Sequence, residues 1–371
     1  MLAEFWARQA FSIRDVDFTW IDVALGAMAR GEWPAFEQRL AQGLACLARA
    51  DAEDALPSEE ALDAAATAFR YDRDLIAATD VNAWLERTGI PSDGWIAYLN
   101  RDLLRSQWSD DLDDILDRFA PSVKQLFAAT VAEGICSGRF DTYWNALAGR
   151  AAFVFDNDPD QFRRVCVGRE ASASLNAAAA ELAHTHAHWL SMQSAAEISA
   201  RLTSVLQIES AFNERIDAIA ANGRLRDIVD ANRLEWMRFE LDTVSFPLEP
   251  AAREAILCIR EDGLTLYDVA AMSHRNVERK ALALADIDSE YRDRLLATEP
   301  GRIVGPLAVD DRFEVTALVS RTPATLADPI VAARARRALV DATIQHSIRS
   351  HVTRTAVLSS PGSHLPGGEA A

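Results

Sequence analysis

Cysteine is scarce in this sequence. Cys46, Cys136, Cys166 and Cys258 are the only four in 371 residues, and no two form a CxxC pair. That spacing argues against a disulfide framework or a zinc knuckle and predicts buried free thiols. Positive charge is also in deficit. There are 38 Lys and Arg against 56 Asp and Glu, a formal charge of −18. A nucleic-acid partner needs a cationic surface, so this balance argues against one; it suits solubility, or a basic or apolar peptide partner. No apolar run approaches the length that spans a bilayer, so no membrane partner is expected. The opening MLAEFWARQAFSIRDVDF lacks a basic start followed by an apolar stretch. No secretory signal is therefore expected, and the expected location is cytoplasmic. A Walker loop, a dinucleotide glycine fingerprint and a GxSxG elbow are all absent, and no cofactor is expected.

What the sequence does contain, up to about residue 236, is helix after helix. Ser58 before two glutamates marks a helix start after Pro57. Thr79 or Asp80 is the expected cap of VNAWLERTG, with Val81, Trp84 and Leu85 on one face and Gly89 at its end. Ser92 is the expected cap of a helix carrying Ile96, Leu99 and Leu103. Ser109 is expected to cap DDLDDILDRF, where Leu112, Ile115, Leu116 and Phe119 follow the i, i+3, i+4, i+7 pattern. Pro121 opens the next helix. Residues 171–236 hold no proline and one glycine, Gly223, and predict two or three long helices running into the first strand. Asp328-Pro329 starts a last helix reaching about Val352, with Asp as cap and Pro in the first turn. Val340, Ile344 and Ile348 repeat every four residues along it, which predicts packing against the N-terminal helices. The tail SSPGSHLPGGEAA is rich in Gly, Pro and Ser and is expected to be disordered.

Evidence for strands is confined to the C-terminal third. RFELDTVSFP reads as one strand, AAREAILCIREDG as a helix ending at Gly263, and LTLYDVAAM as a second helix. Phe313, Val315, Ala317 and Val319 then alternate with Glu314, Thr316, Leu318 and Ser320, the period of a half-buried strand. Ala252, Ala255, Ile256 and Ile259 form a helical face suited to cover the sheet. The expected class is α+β. A helical lobe spans 1–237, a small domain 238–323, a returning helix 324–354 and a tail 355–371.

The segments EPGRIVGPLAVDDRFEV and FPLEPAAREAILCIREDGL, within a strand, helix, helix, short helix, strand, strand order, resemble the parvulin fold of prolyl isomerases. Helices before such a domain and one long helix after it resemble the SurA-like and PrsA-like peptidyl-prolyl isomerase chaperones. Among these the chain looks most similar to parvulin-related proteins of peptide maturation systems. AFRYDRDLI followed by NAWLERTGIPSDGWIAYLNRDLL carries that second resemblance. The resemblance implies a client that is a peptide or unfolded chain, such as a precursor peptide with its modifying enzyme. It also places the isomerase positions. Thr243 stands where the family carries a histidine in the first strand, and Glu314 where it carries one in the closing strand. His274 to Asn276 stand where a Cys or Asp follows the second helix. Ile287 and Tyr291 take the places of the apolar pocket wall, with Leu282 as a further wall. The implied function is a peptide-binding, chaperone-like protein with a degenerate parvulin domain. No residue is assigned a catalytic role. The substrate-binding candidates are Leu282, Ile287, Tyr291, Thr243 and Glu314. An active isomerase is the alternative reading.

A third reading rests on ELAHTHAHWL. On a continuous helix His184 and His188 share one face, with Glu181 one turn earlier and His186 pointing elsewhere. That pattern suits a transition metal, but a second Glu-x-x-His copy and the HExxH spacing are absent, so no metal site is expected. Trp84, Trp95, Trp108, Trp144, Trp189 and Trp236 stand at helical spacing, which predicts core positions ahead of a peptide groove.

Overall fold

The computed structural model describes residues 2–167, 171–190, 194–309 and 311–355. Most are helical, and two small antiparallel sheets complete an α+β structure. The chain divides into two compact units, Met1–Arg215 with Ala342–Ala371, and Ile216–Asp341. The border therefore lies inside the long Ala195–Ile219 helix and not at residue 237. The cause is packing: Val229 and Trp236 bury themselves with Ala324, Val331 and Ala335, which ties residues ahead of the first long strand to the smaller unit. The segment 171–236 is also more broken than its composition suggests. Gly223, at φ +87°, interrupts it and precedes a short Leu225–Ala231 helix.

The larger unit is built on aromatic packing. Phe5, Trp6, Trp20, Trp33, Phe36 and Phe140 are all nearly fully buried, and each ring meets others at centroid distances between 4.9 and 6.4 Å. Burying one such side chain is worth roughly 1.5–3 kcal/mol. Against this core lies a sheet that the sequence did not reveal, made of β1 (Gln9–Ile13), β2 (Val16–Thr19) and β7 (Val352–Arg354) in the order β2-β1-β7. Strands of five, four and three residues are too short for alternation to stand out beside helices. Burial drives their formation: Phe11 stacks on Phe18 at 4.6 Å, and the Trp144 indole N–H donates to the Ala10 carbonyl at 2.9 Å.

The helix ends show local chemistry at work. Ser58 caps its helix, accepting from the Ala61 amide at 3.2 Å, and Gly89 ends the next at φ +74°. That next helix, Ala78–Thr88, is capped at Ala77, because Asp80 sits three residues inside and its carboxylate reaches back to the Ala77 amide at 2.8 Å. Pro91 takes the cap position ahead of Ser92, Asp111 takes it in place of Ser109, and Ser122 caps the helix after Pro121 with Gln125 as its partner. The last helix spans Pro329–His351, and the Asp328 carboxylate accepts from the Ile330 amide at 2.8 Å. Its Ile344 packs on Gly149, and β7 follows to pair with β1. The tail from residue 356 lies outside the described residues.

The smaller unit carries a four-stranded antiparallel sheet of β3 (Arg238–Phe246), β4 (Glu278–Ala283), β5 (Ile303–Val309) and β6 (Arg312–Thr322), ordered β4-β3-β6-β5. β4 is unexpected, since it begins with three charged residues, Glu278, Arg279 and Lys280. Helices Glu249–Glu261 and Leu266–Met272 cover one face, where Ala252, Ala255, Ile256 and Val269 meet Val244, Phe246 and Val315. Phe239, Leu241 and Leu318 lie on the other face, packed with Leu284, Ile287 and Leu295. A bulge sits in β5 at the cis Gly305-Pro306 bond. A Cβ at Gly305 would lie 2.9 Å from the Glu314 carbonyl, so the backbones can approach only with glycine there.

The Gly149 contact yields a test. A Cβ there would fall 2.4 Å from a methyl of Ile344. Gly149→Ala is therefore expected to cost about 1–3 kcal/mol in urea denaturation through overpacking, despite alanine's better helix propensity. Adding Ile344→Ala should recover part of that loss, a coupling that a double-mutant cycle reads directly.

Candidate functional site

The period of two along β3 sends Phe239, Leu241 and Thr243 to one face of the sheet. Thr243 is flanked by Glu278 of β4 and Thr316 of β6. Both threonines are almost fully buried, and their hydroxyls stand 3.1 Å apart, so each buried oxygen finds a partner in the other. Glu314, two residues from Thr316, lies on the same face opposite Ser245. Lys280 comes from β4, opposite Leu241, and reaches across β3 to Glu314 at 3.0 Å, with Glu278 at 3.6 Å. The diagonal from Leu241 to Ser245 passes Thr243, so the ion pair spans the strand that carries it. Burial pulls the Lys280 pKa down, but the hydrogen bond and charge of Glu314, joined by Glu278, hold it above its ordinary value. The ion pair thus favours the protonated form of Lys280.

Leu282, Ile287 and Tyr291 occupy the apolar part of that face. Leu282 pairs with Phe239 across the strands, and Ile287 is 7% exposed within the cluster of Phe239, Leu241 and Leu318. Tyr291 is half-buried on the Ser289–Ala297 helix, and its hydroxyl donates to the Ala308 carbonyl of β5. All five expected residues therefore lie with one face of the sheet. Thr243 and Ile287 are covered, so the more accessible surface is made by Tyr291, Leu282 and the Lys280–Glu314 pair. Lys280 was not singled out from the sequence. The available signal was a lysine one strand-period from Leu282. His274 to Asn276 form an exposed turn leading to β4, with His274 at φ +53°.

The opposite face carries a second polar set. Asp242, 4% exposed, accepts from Arg279 through both oxygens at 2.7 and 2.9 Å, and from the Tyr267 hydroxyl at 2.7 Å. The Arg279 hydrogen bond is the main cause that holds the Asp242 carboxyl below its ordinary pKa, with Tyr267 adding to it.

The histidine run does not form one helical face. The Ala173–Thr185 helix ends at His186, and a separate turn, Ala187–Leu190, carries His188. His186 is buried, and burial lowers its pKa; His188 meets Glu37 at 2.9 Å. Among the described residues no three His, Cys, Asp or Glu side chains are grouped to hold a metal ion. Trp84, Trp144, Trp189 and Trp236 are core residues. Among the described residues no helix is long and apolar enough to cross a membrane. No protein-family model matches the sequence, and no curated protein is significantly similar to it.

The Asp242 cluster predicts a pH effect. Its folded pKa is depressed, so its stabilisation is full above the unfolded value of about 3.9 and is lost as pH falls through the lower folded value. Asp242→Asn should lower the urea midpoint at pH 7, and the gap to the parent should narrow below about pH 4.

Proposed function

We propose that this chain is a peptide-holding, chaperone-like protein whose Arg238–Thr322 region is a parvulin-type domain without efficient isomerase activity. The observation that carries the reading is the closed pairing at the two expected histidine positions, Thr243 on Thr316 and Glu314 on Lys280. Rotation about a peptide bond faces a barrier of about 18–20 kcal/mol. Lowering it requires polar groups aimed at the twisted amide and stronger there than in the ground state. A hydroxyl engaged by its neighbour and a carboxylate neutralised by lysine offer no such directed donor. The adjoining apolar surface retains the capacity to hold a proline ring, worth roughly 1–2 kcal/mol when buried. The client would be an extended peptide or unfolded chain in the cytoplasm, such as a precursor peptide presented to its modifying enzyme. Affinity would come from several weak subsites together.

A protease-coupled tetrapeptide assay should give a kcat/KM well below about 10⁵ M⁻¹s⁻¹, a value well inside the usual enzyme range. A result at or above it would overturn the loss of catalysis. Titration with a labelled proline-rich peptide should show binding, and Tyr291→Ala should weaken it by roughly 0.5–2 kcal/mol. If no such peptide binds, or if a folded Tyr291→Ala protein binds as well as the parent, the assignment of this surface is wrong.

A further inference from the structure

A cleft of about 480 Å³ opens in the larger unit, among the helices Trp33–Glu53, Glu59–Asp72 and Ser92–Gln107 and the junction leading into Arg139–Asn157. Beside it lies a buried charge cluster. Glu133 is fully buried, and the guanidinium groups of Arg39, Arg101 and Arg105 converge on it at 3.3, 3.2 and 3.1 Å. Asp102 accepts from Arg39 at 2.6 Å and from Arg105 at 2.8 Å. A Cβ at Gly43 would lie 2.3 Å from Arg105 Nη1 and 3.2 Å from Arg101 Cβ, so glycine there leaves room for both side chains.

Two further arginines line the cleft, Arg73 and Arg139. Among the described residues neither has a carboxylate at ion-pair distance. Arg73 stacks over the Phe69 ring at 3.8 Å and gives one N–H to the Cys136 carbonyl, which fixes its plane and leaves further donors. The nearby Asp141 is taken by Arg354 at 2.6 Å. Asp72 is the one other carboxylate lining the cleft. Of the charged residues that line the cleft, Arg39, Arg73 and Arg139 stand against Asp72 and Asp102, a surplus of one positive charge in a chain of net charge −18. The accessible apolar wall comes from Ala65, Ala68 and Leu103, with Ser106 and Ser137 beside it, and Phe69, Tyr98 and Leu99 lie nearly buried behind. Burial pushes the Cys136 thiol up to about 12, so the cleft offers no thiolate.

We propose that this cleft binds a carboxylate carried on an apolar or aromatic body, gripped by Arg73 and Arg139 while the body rests on Ala65, Ala68 and Leu103. A planar guanidinium matches a carboxylate through paired hydrogen bonds, and the cationic surplus is what a carboxylate neutralises. Two sources share this chemistry, the free C-terminus of a peptide and a small aryl or alkyl carboxylic acid. The proposal does not depend on the reading of the Ile216–Asp341 unit.

Calorimetric titration of the full-length protein tests it. N-acetylphenylalanine should bind, and its amide should bind at least about tenfold more weakly, since a charge-assisted hydrogen bond of about 1.4 kcal/mol corresponds to that factor. Arg73→Gln and Arg139→Gln should each weaken the acid by a similar factor with an unchanged thermal transition. Tyr291→Ala should leave it unaffected, which separates this site from the peptide surface of the smaller unit. A decapeptide ending in phenylalanine that binds more tightly than the free acid would identify a C-terminus as the ligand. Equal binding would identify the small acid, and either result sustains the site. Equal binding of acid and amide, no binding of the acid at about 10 mM, or folded arginine variants that bind as well as the parent would overturn it.

Discussion

Burial of both faces of β3 is the constraint on which the smaller unit depends. The strand is hydrogen-bonded on both edges, to β4 and β6, and sends Phe239 and Leu241 to one core and Val244 and Phe246 to the other. A slip of one residue would exchange the faces, driving Asp242 toward the core of Leu318 and Ile287. The register is therefore fixed by apolar packing, and the polar residues land where that register puts them. Thr243 meets Thr316 on one face, while Asp242 meets Arg279 and Tyr267 on the other.

This arrangement bears on chemistry. A buried polar group without a partner costs free energy, so a sheet covered on both sides selects side chains that satisfy one another. Thr243 and Thr316 do so as neutral hydroxyls, and Lys280 and Glu314 as an ion pair drawn across the strand between them. The same pairings draw on donors and acceptors of the kind that a catalytic site aims at its substrate. Stability of the sheet and catalysis at these positions compete for the same atoms. Here the pairings serve the sheet.

The parts legible in the sequence are those where one interaction dominates. The alternation from Phe313 to Ser320 marks β6, and the face of Ala252, Ala255 and Ile256 marks the covering helix, because burial on one side imposes its period. Gly89 ends its helix because a left-handed residue is needed there. What stayed hidden depends on distant partners. β4 opens with three charged residues, and its fit to a strand comes from pairing with β3 and from Glu314, which lies 34 residues from Lys280. β1 and β2 are short, and burial beneath the aromatic core sustains them. The break at His186 carries no glycine or proline to announce it. Of the site residues, Leu282, Ile287, Tyr291, Thr243 and Glu314 were placed by resemblance. Strand periodicity gives the face of Thr243 and Glu314, but Leu282 lies on the unforeseen β4 and Ile287 and Tyr291 lie outside the strands, and Ile287 packs against strands contributed by residues on both sides of it in the chain.

Net charge is the property that composition conveys least faithfully. The chain is acidic overall, yet two buried carboxylates in the larger unit are each met by more than one arginine: Glu209 by Arg30 and Arg150, and Glu133 by Arg39, Arg101 and Arg105. A buried carboxylate left alone would be costly, and a single partner would leave its remaining lone pairs unmet, so guanidinium groups with several donors collect around it. Each collection moves positive charge inward and leaves the excess of Asp and Glu to the surface. The local balance of charge in such a protein therefore depends on which buried acid its arginines gather around, and the sum of the charges alone does not give it.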